Sequence, residues 1–296
     1  MLKATGIFQL IGVLGSLFLI FAVCAGCGTM PSRATSLPSR TGVSTVGRNA
    51  GSVVLPGSIT STSVSVAPAS SHPVKAGTPH AWALAATALL THANGGSDEL
   101  LGFAPVTSQV VQAEEESLKE WWGVNNREDL LAMLQWVDQG GHRQEWDRVT
   151  AYLASLDPSE LSQVIAKAAT DEELKHQIEM VRHYAPLLGA KSLLGWDYSR
   201  YIFLCRCGYA CGYLTETEAW DRIMPVAAML QKTFSSWQEL GENYLIGREF
   251  WSYDETLKTG GAMRETYRSL LSDCSSPWKA NAWGMKLGDG KSPGSA

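Results

Sequence analysis

From residue 82 onward one local signal recurs at intervals of about one helix length, and it limits the fold more than any other feature. A short polar residue, able to accept from the first free amides of a helix, stands a few positions ahead of an acidic or amide residue able to bond back. Asn125 and Asn126 precede Glu128 and Asp129, Asp157 precedes Pro158 and Glu160, and Thr170 precedes Glu173. Thr215 precedes Glu218, and Ser235 and Ser236 precede Gln238 and Glu239. Proline suits a first turn because its missing N–H would have no partner there. Glycine stops stand at Gly95-Gly96 and Gly140-Gly141. Leu130, Leu131, Leu134 and Val137 lie at helical spacing between caps. Further helices are predicted over residues 82–90, 106–122, 142–156 and 262–272, with the most apolar one over 191–213. Pro225 should kink its helix or end the first turn. Strand-type alternation is almost absent, and no internal repeat is visible. The expected fold is all-α: an irregular multi-helix globular domain of about eight or nine helices after a disordered tether.

The first residues are of another kind. Lys3 precedes an apolar run over residues 6–23, and Ala25-Gly26 stand directly ahead of Cys27. This resembles the lipobox of bacterial lipoproteins, in which a peptidase cleaves before the cysteine and the cysteine carries the lipid. The resemblance implies a signal peptide at residues 1–26, lipidation of Cys27, and a membrane-anchored protein of the cell envelope facing the periplasm. Gly28 stands where an Asp would mark inner-membrane retention, so the outer membrane is preferred over the inner. The alternative is an uncleaved anchor, since about 20 apolar residues span a bilayer. Residues 27–75 contain no acidic group and are rich in Ser, Thr, Pro and Gly. Such a stretch buries too little apolar surface to order itself and reads as a tether reaching about 35–40 Å. The helical domain is then residues 76–274, followed by a flexible tail over 275–296.

Charge divides at the tether. The first 75 residues hold five basic groups and no acidic one, leaving 19 basic and 29 acidic residues in the body, a net of −10. A nucleic-acid backbone needs clustered Lys and Arg, so nucleic acid is not an expected partner. Beyond Cys24 and Cys27 the cysteines are Cys205, Cys207, Cys211 and Cys274. Cys205 and Cys207 lie about 200° apart around a helix, so only Cys207 and Cys211 share a face. The spacing does not suit zinc. They read as small buried residues, with a bridge from Cys274 to Cys205, Cys207 or Cys211 as the alternative in an oxidising compartment.

From Leu193 the chain reads Leu-Leu-Gly-Trp-Asp-Tyr-Ser-Arg, then Arg206, Gly208-Tyr209, Gly212-Tyr213 and Glu218-Ala219-Trp220. It continues through Trp237, Gly241, Tyr244, Gly247-Arg248 and Trp251, and upstream stand Trp122-Gly123-Val124, Arg127-Glu128 and Gly141-His142-Arg143. In order and spacing this is similar to the bacterial family called domain of unknown function 1266, over about residues 82–252. The resemblance implies a helical domain and brings no established activity.

Chemistry must therefore be read from the residues. Asp197 and Arg200 stand three apart on one face of an otherwise apolar helix, where an unpaired charge would cost several kcal/mol (roughly 3–5). They read either as a buried ion pair fixing helix register or as the floor of a pocket joined by His142 and Glu218. In the second case His142 serves as base, Glu218 as acid, and Arg200 holds an anionic group. Arg248 could join either version. Glu173 and His176, with Glu179 and His183 further along, invite a metal reading because Glu-x-x-His occurs in helical metal sites. No second Glu-x-x-His exists in the chain, however, and the apolar stripe Leu174, Ile178, Val181, Ala185 and Leu188 places the histidines on a solvated face. Eleven tryptophans read mainly as core, with Trp237 a candidate for an aromatic binding groove. Gly288 to Ser292 resembles the end of a phosphate loop but lacks its first glycine and a preceding strand. No nucleophile elbow occurs, and no metal or other cofactor is expected. The leading expectation is an envelope module that binds a protein or peptide partner. The alternative is a hydrolase or transferase using His142, Asp197, Arg200 and Glu218 on an anionic small substrate, and the features lean against an enzyme.

Overall fold

The computed structural model describes residues 72–288. The signal segment, Cys27 and nearly all of the tether lie outside the described residues, as does the chain beyond Gly288. The described residues form twelve α-helices and no strand, and nine of the helices have eleven residues or more. In chain order these are α1 (Pro79–Ala85), α2 (Ala88–Ala93), α3 (Ser108–Trp122), α4 (Arg127–Gln139), α5 (Arg143–Ala154) and α6 (Pro158–Ala168). They continue as α7 (Glu172–Leu188), α8 (Leu194–Ala210), α9 (Glu216–Thr233), α10 (Trp237–Trp251), α11 (Tyr253–Ser272) and α12 (Pro277–Ala280), with a 3-10 turn at Gly189–Lys191. None of these helices is long and apolar enough to cross a membrane.

The caps sit where local chemistry puts them. Asn126 accepts from the Asp129 amide, Ser236 from the Glu239 amide, and complete capping boxes join Asp157 to Glu160 and Thr215 to Glu218. At α7 the cap is Asp171 rather than Thr170. Glu173 there turns to the start of α11, where its carboxylate accepts from the Tyr253 amide at 3.0 Å. The single helix expected over 82–90 is two, broken at Ala86 and Thr87. The Thr87 hydroxyl donates back to the Leu84 carbonyl and accepts from Arg206 of α8. α9 runs through Pro225, so this proline does not end its first turn.

α8 is the axis of the molecule. Every residue in it except Leu194 and Tyr198 is buried, as a helix apolar on all sides requires. It packs against α9 and α10 on its flanks and against α3 and α4. α10 approaches so closely that a Cβ on Gly247 would stand 2.2 Å from the Trp196 Cβ. From the same helix Asn243 accepts from the Gly195 amide at 2.8 Å and donates to the Ser192 carbonyl at 2.7 Å, capping the start of α8.

The chain after Ser272 departs from the expected flexible tail. Trp278 is buried and its indole donates to the Ala85 carbonyl, while Trp82 donates to the Trp283 carbonyl and Trp237 to that of Asn281. Each of these three indoles thus finds an acceptor on the opposite end of the domain or beside it. Ser276, Trp278, Asn281 and Leu287 are buried in the core, and this segment closes the fold by joining its first helix to its last.

Candidate functional site

Asp197 lies in the first turn of α8 with none of its side chain exposed. Its carboxylate accepts from the backbone amides of His142 at 3.2 Å and Arg143 at 3.0 Å, and from Arg143 Nη1 at 3.1 Å. These amides begin α5, so a helix N-terminus faces the buried anion, the sign its dipole favours. Gly141 makes the approach feasible. Its φ is +52°, and a Cβ there would lie 2.5 Å from the carboxylate. Arg143 also donates to the Val137 carbonyl, tying the end of α4 to the start of α5.

Arg200 stands one turn along α8. Its guanidinium lies 4.4 Å from the Trp122 ring and 4.3 Å from the Trp196 ring, and Nη1 is 2.7 Å from His142 Nδ1. Burial pulls its pKa down to about 10, against the opposing pull of Asp197. His142 is held below its ordinary pKa by burial and then by the Arg200 charge. It is therefore neutral, and its Nδ1 accepts from Arg200. A lone pair used in that way is a poor general base.

The structure places His142, Asp197 and Arg200 beside one another, and Glu218 is not among the groups they contact. Glu218 is engaged by Arg127, at 2.6 and 3.2 Å, and by the Thr215 capping box. The Arg127 contact, helped by the box, holds its carboxyl down at about 2, so it is a carboxylate and not a proton donor. Arg248 serves another contact. It is buried and donates to the Glu255 carbonyl and to Thr256 and Thr259, fastening α10 to the first turns of α11. Trp237 is buried among Trp82, Trp278 and Trp283, so it forms core and not a binding groove.

Cys205, Cys207, Cys211 and Cys274 are free thiols, the first two buried and Cys274 exposed. Glu179 and His183 are exposed as expected, whereas Glu173 and His176 are half-buried. His176 stacks on Tyr253 at 4.2 Å and approaches Glu249 at 3.3 Å, because α11 begins over that part of α7.

An open cleft of about 580 Å³ lies where α7, α10 and α11 meet. Leu245 and Ile246 supply apolar surface, and Tyr184 and Tyr267 come from the flanking helices. Glu242 and Glu249 line it from α10, Arg264 and Arg268 from α11. Tyr267 donates to Glu242 at 3.1 Å and Arg264 to Glu249 at 2.5 Å. Arg268 is exposed, and Leu187, one turn beyond Tyr184 on α7, keeps 71% of its surface in solvent. Sequence reasoning missed this site. The available signal was Glu242, Ile246 and Glu249 at helical spacing and Arg264 with Arg268 one turn apart.

Residues 117–283 match the family described as "Protein of unknown function (DUF1266)", more than half of the chain. The match extends beyond the expected boundary at 252 and includes Trp278 and Trp283. Two similar proteins of Escherichia coli (strain K12) are "Uncharacterized protein YbeU", 28% identical, and "Uncharacterized protein YbeR", 25% identical, each over 138 residues. Each alignment covers 47% of this chain and 58% of the relative, so the chain spans little more than half the length of the curated relatives it matches. No solved structure matches.

Proposed function

The chain belongs to the DUF1266 family, and from that premise we propose that its helical domain binds a protein or peptide partner and does so at the α7–α10–α11 cleft. The observation that carries this reading is the cleft: an apolar floor between two tyrosines, bordered by carboxylates on one helix and guanidinium groups on another. Concave apolar surface with a few convergent polar groups is what binding sites present, and a groove between helices suits the apolar face of a peptide. The lipobox-like segment supports an address at the cell envelope, with the lipid on Cys27 and the tether holding the domain off the bilayer.

The second reading is a hydrolase or transferase on an anionic small substrate. It is favoured by the meeting of His142, Asp197 and Arg200, and weakened by Glu218 standing elsewhere. Turnover of an anionic metabolite by the purified domain, abolished by His142→Gln, would decide for it.

Affinity capture from envelope extracts tests the leading reading, using the wild type beside Arg268→Glu and Ile246→Asp. The expected result is a stoichiometric partner held by the wild type and lost from variants of unchanged melting temperature. A partner retained at full yield by both folded variants would place binding elsewhere.

A further inference from the structure

Three arginines are buried in this domain, and their hydrogen bonding is unequal. Arg206 donates to the hydroxyls of Thr87 and Thr91 and to the carbonyls of Ser97, Leu100 and Leu101. Arg248 donates to a carbonyl and two hydroxyls. Arg200 has one short contact, to His142. Its nearest carboxylate, Asp197, stays 3.8 Å away and spends its oxygens on two amides and Arg143.

A guanidinium carries five N–H donors, all in its own plane. The Trp122 and Trp196 rings lie 4.4 Å and 4.3 Å from the Arg200 guanidinium, and Nη1 is directed at His142. Nε and Nη2, which together form the fork that binds a carboxylate through two parallel bonds, have no hydrogen-bond acceptor among the described residues. A second, independent observation lies beside it. The indole N–H of Trp196, the ring that covers one face, is buried and hydrogen-bonds to nothing. Buried indole donors ordinarily find an acceptor, as those of Trp82, Trp237 and Trp278 do here. One side chain short of acceptors and one orphaned donor in the same packed group call for added oxygen atoms. A water molecule would satisfy the indole but bring no negative charge to the guanidinium, whose nearest carboxylate, Asp197, is 3.8 Å away and shared with Arg143. Trp122, the last residue of α3, is half-buried, so this packed group reaches the surface on that side.

We infer that Arg200, packed against Trp122 and Trp196, is a binding point for a carboxylate, supplied by a small organic acid or by a peptide terminus or acidic side chain. The site shares no residue with the α7–α10–α11 cleft and stands whether or not that cleft binds a partner.

The test is a titration with acetate, at ionic strength held constant with chloride, followed by the ¹⁵N–¹H signal of the Trp196 indole and by melting temperature. Trp196→Phe identifies the signal. A carboxylate site gives a saturable displacement of that signal and a rise in melting temperature that chloride does not produce. Arg200→Lys keeps the charge and loses the fork, so acetate should bind it roughly tenfold or more weakly. If Arg200→Lys does not fold, Trp196→Phe keeps the ring face, removes the donor and should also weaken acetate. A displacement that never saturates, or acetate affinity unchanged in the folded variants, overturns the inference. Phosphate binding as tightly as acetate overturns the carboxylate assignment. A short peptide that binds better than acetate and loses affinity as its C-terminal amide identifies a peptide terminus as the source; acid and amide binding alike but better than acetate, through an acidic side chain, identify that group; acetate binding at least as well as either identifies a small acid.

Discussion

At the scale of single residues, Asp197 is the charge on which its surroundings depend. Arg143, two amides of α5 and, more distantly, Arg200 all face it, so Asp197→Asn should cost roughly 3–5 kcal/mol, the usual result of removing one partner from a buried ionic group. Urea denaturation reads this directly. His142 adds a pH dependence of known sign. Its folded pKa is lowered by burial and by Arg200, so below about 6.5 the unfolded chain takes up a proton that the folded one resists. This contribution is fully present above that pH and is lost as pH falls through it toward the folded value. His80, also lowered by burial, acts in the same direction, and His92, raised by its bond to Asp98, acts in the opposite one. The contribution of His142 is therefore the part of the slope between about pH 8 and 5 that His142→Gln removes. Asp197, Arg200 and His142 were legible because charges in a largely apolar helix demand compensation. Arg143 was missed although it adjoins His142, and Glu218 was misassigned although its place in the Thr215 capping box already explained it.

At the scale of elements, caps and stops were legible because they are written within four residues. Breaks and continuations made by distant partners were not. Thr87 splits α1 from α2 because Arg206 arrives from α8, and α11 passes through Gly260-Gly261 although two glycines cost about 1 kcal/mol each. Arg248 and the Ser252 cap hold its first turns from outside. The contact of α8 with α10 is limited by Gly247, where a methyl group meets Trp196. Gly247→Ala should therefore destabilise by about 1–3 kcal/mol through overpacking, whereas Gly261→Ala, in the exposed interior of α11 where a Cβ meets nothing within 4 Å, should stabilise by up to about 1 kcal/mol. Thermal melting of the two variants separates them.

At the scale of the whole molecule, the segment after Ser272 was legible as a Gly/Ser/Lys tail by composition, yet Trp278 and Trp283 close the core. Their signal was present in two tryptophans within a stretch too short to show periodicity. Ending the chain at Cys274 should lower the melting temperature sharply, and Trp278→Ala alone should cost about 3–5 kcal/mol, as loss of a buried aromatic does. The helical spacing of the cleft's lining residues was present in the sequence, but that they face one another was not legible, since the cleft exists only through the mutual placement of α7, α10 and α11. It is also the place where the account of function is most exposed. Hydrogen–deuterium exchange of the domain, alone and with its captured partner, measures that claim directly. Slower exchange confined to residues 184–188, 242–249 and 264–268 is the expected result. Protection concentrated instead at residues 136–143 and 197–200, with the cleft unchanged, would contradict it.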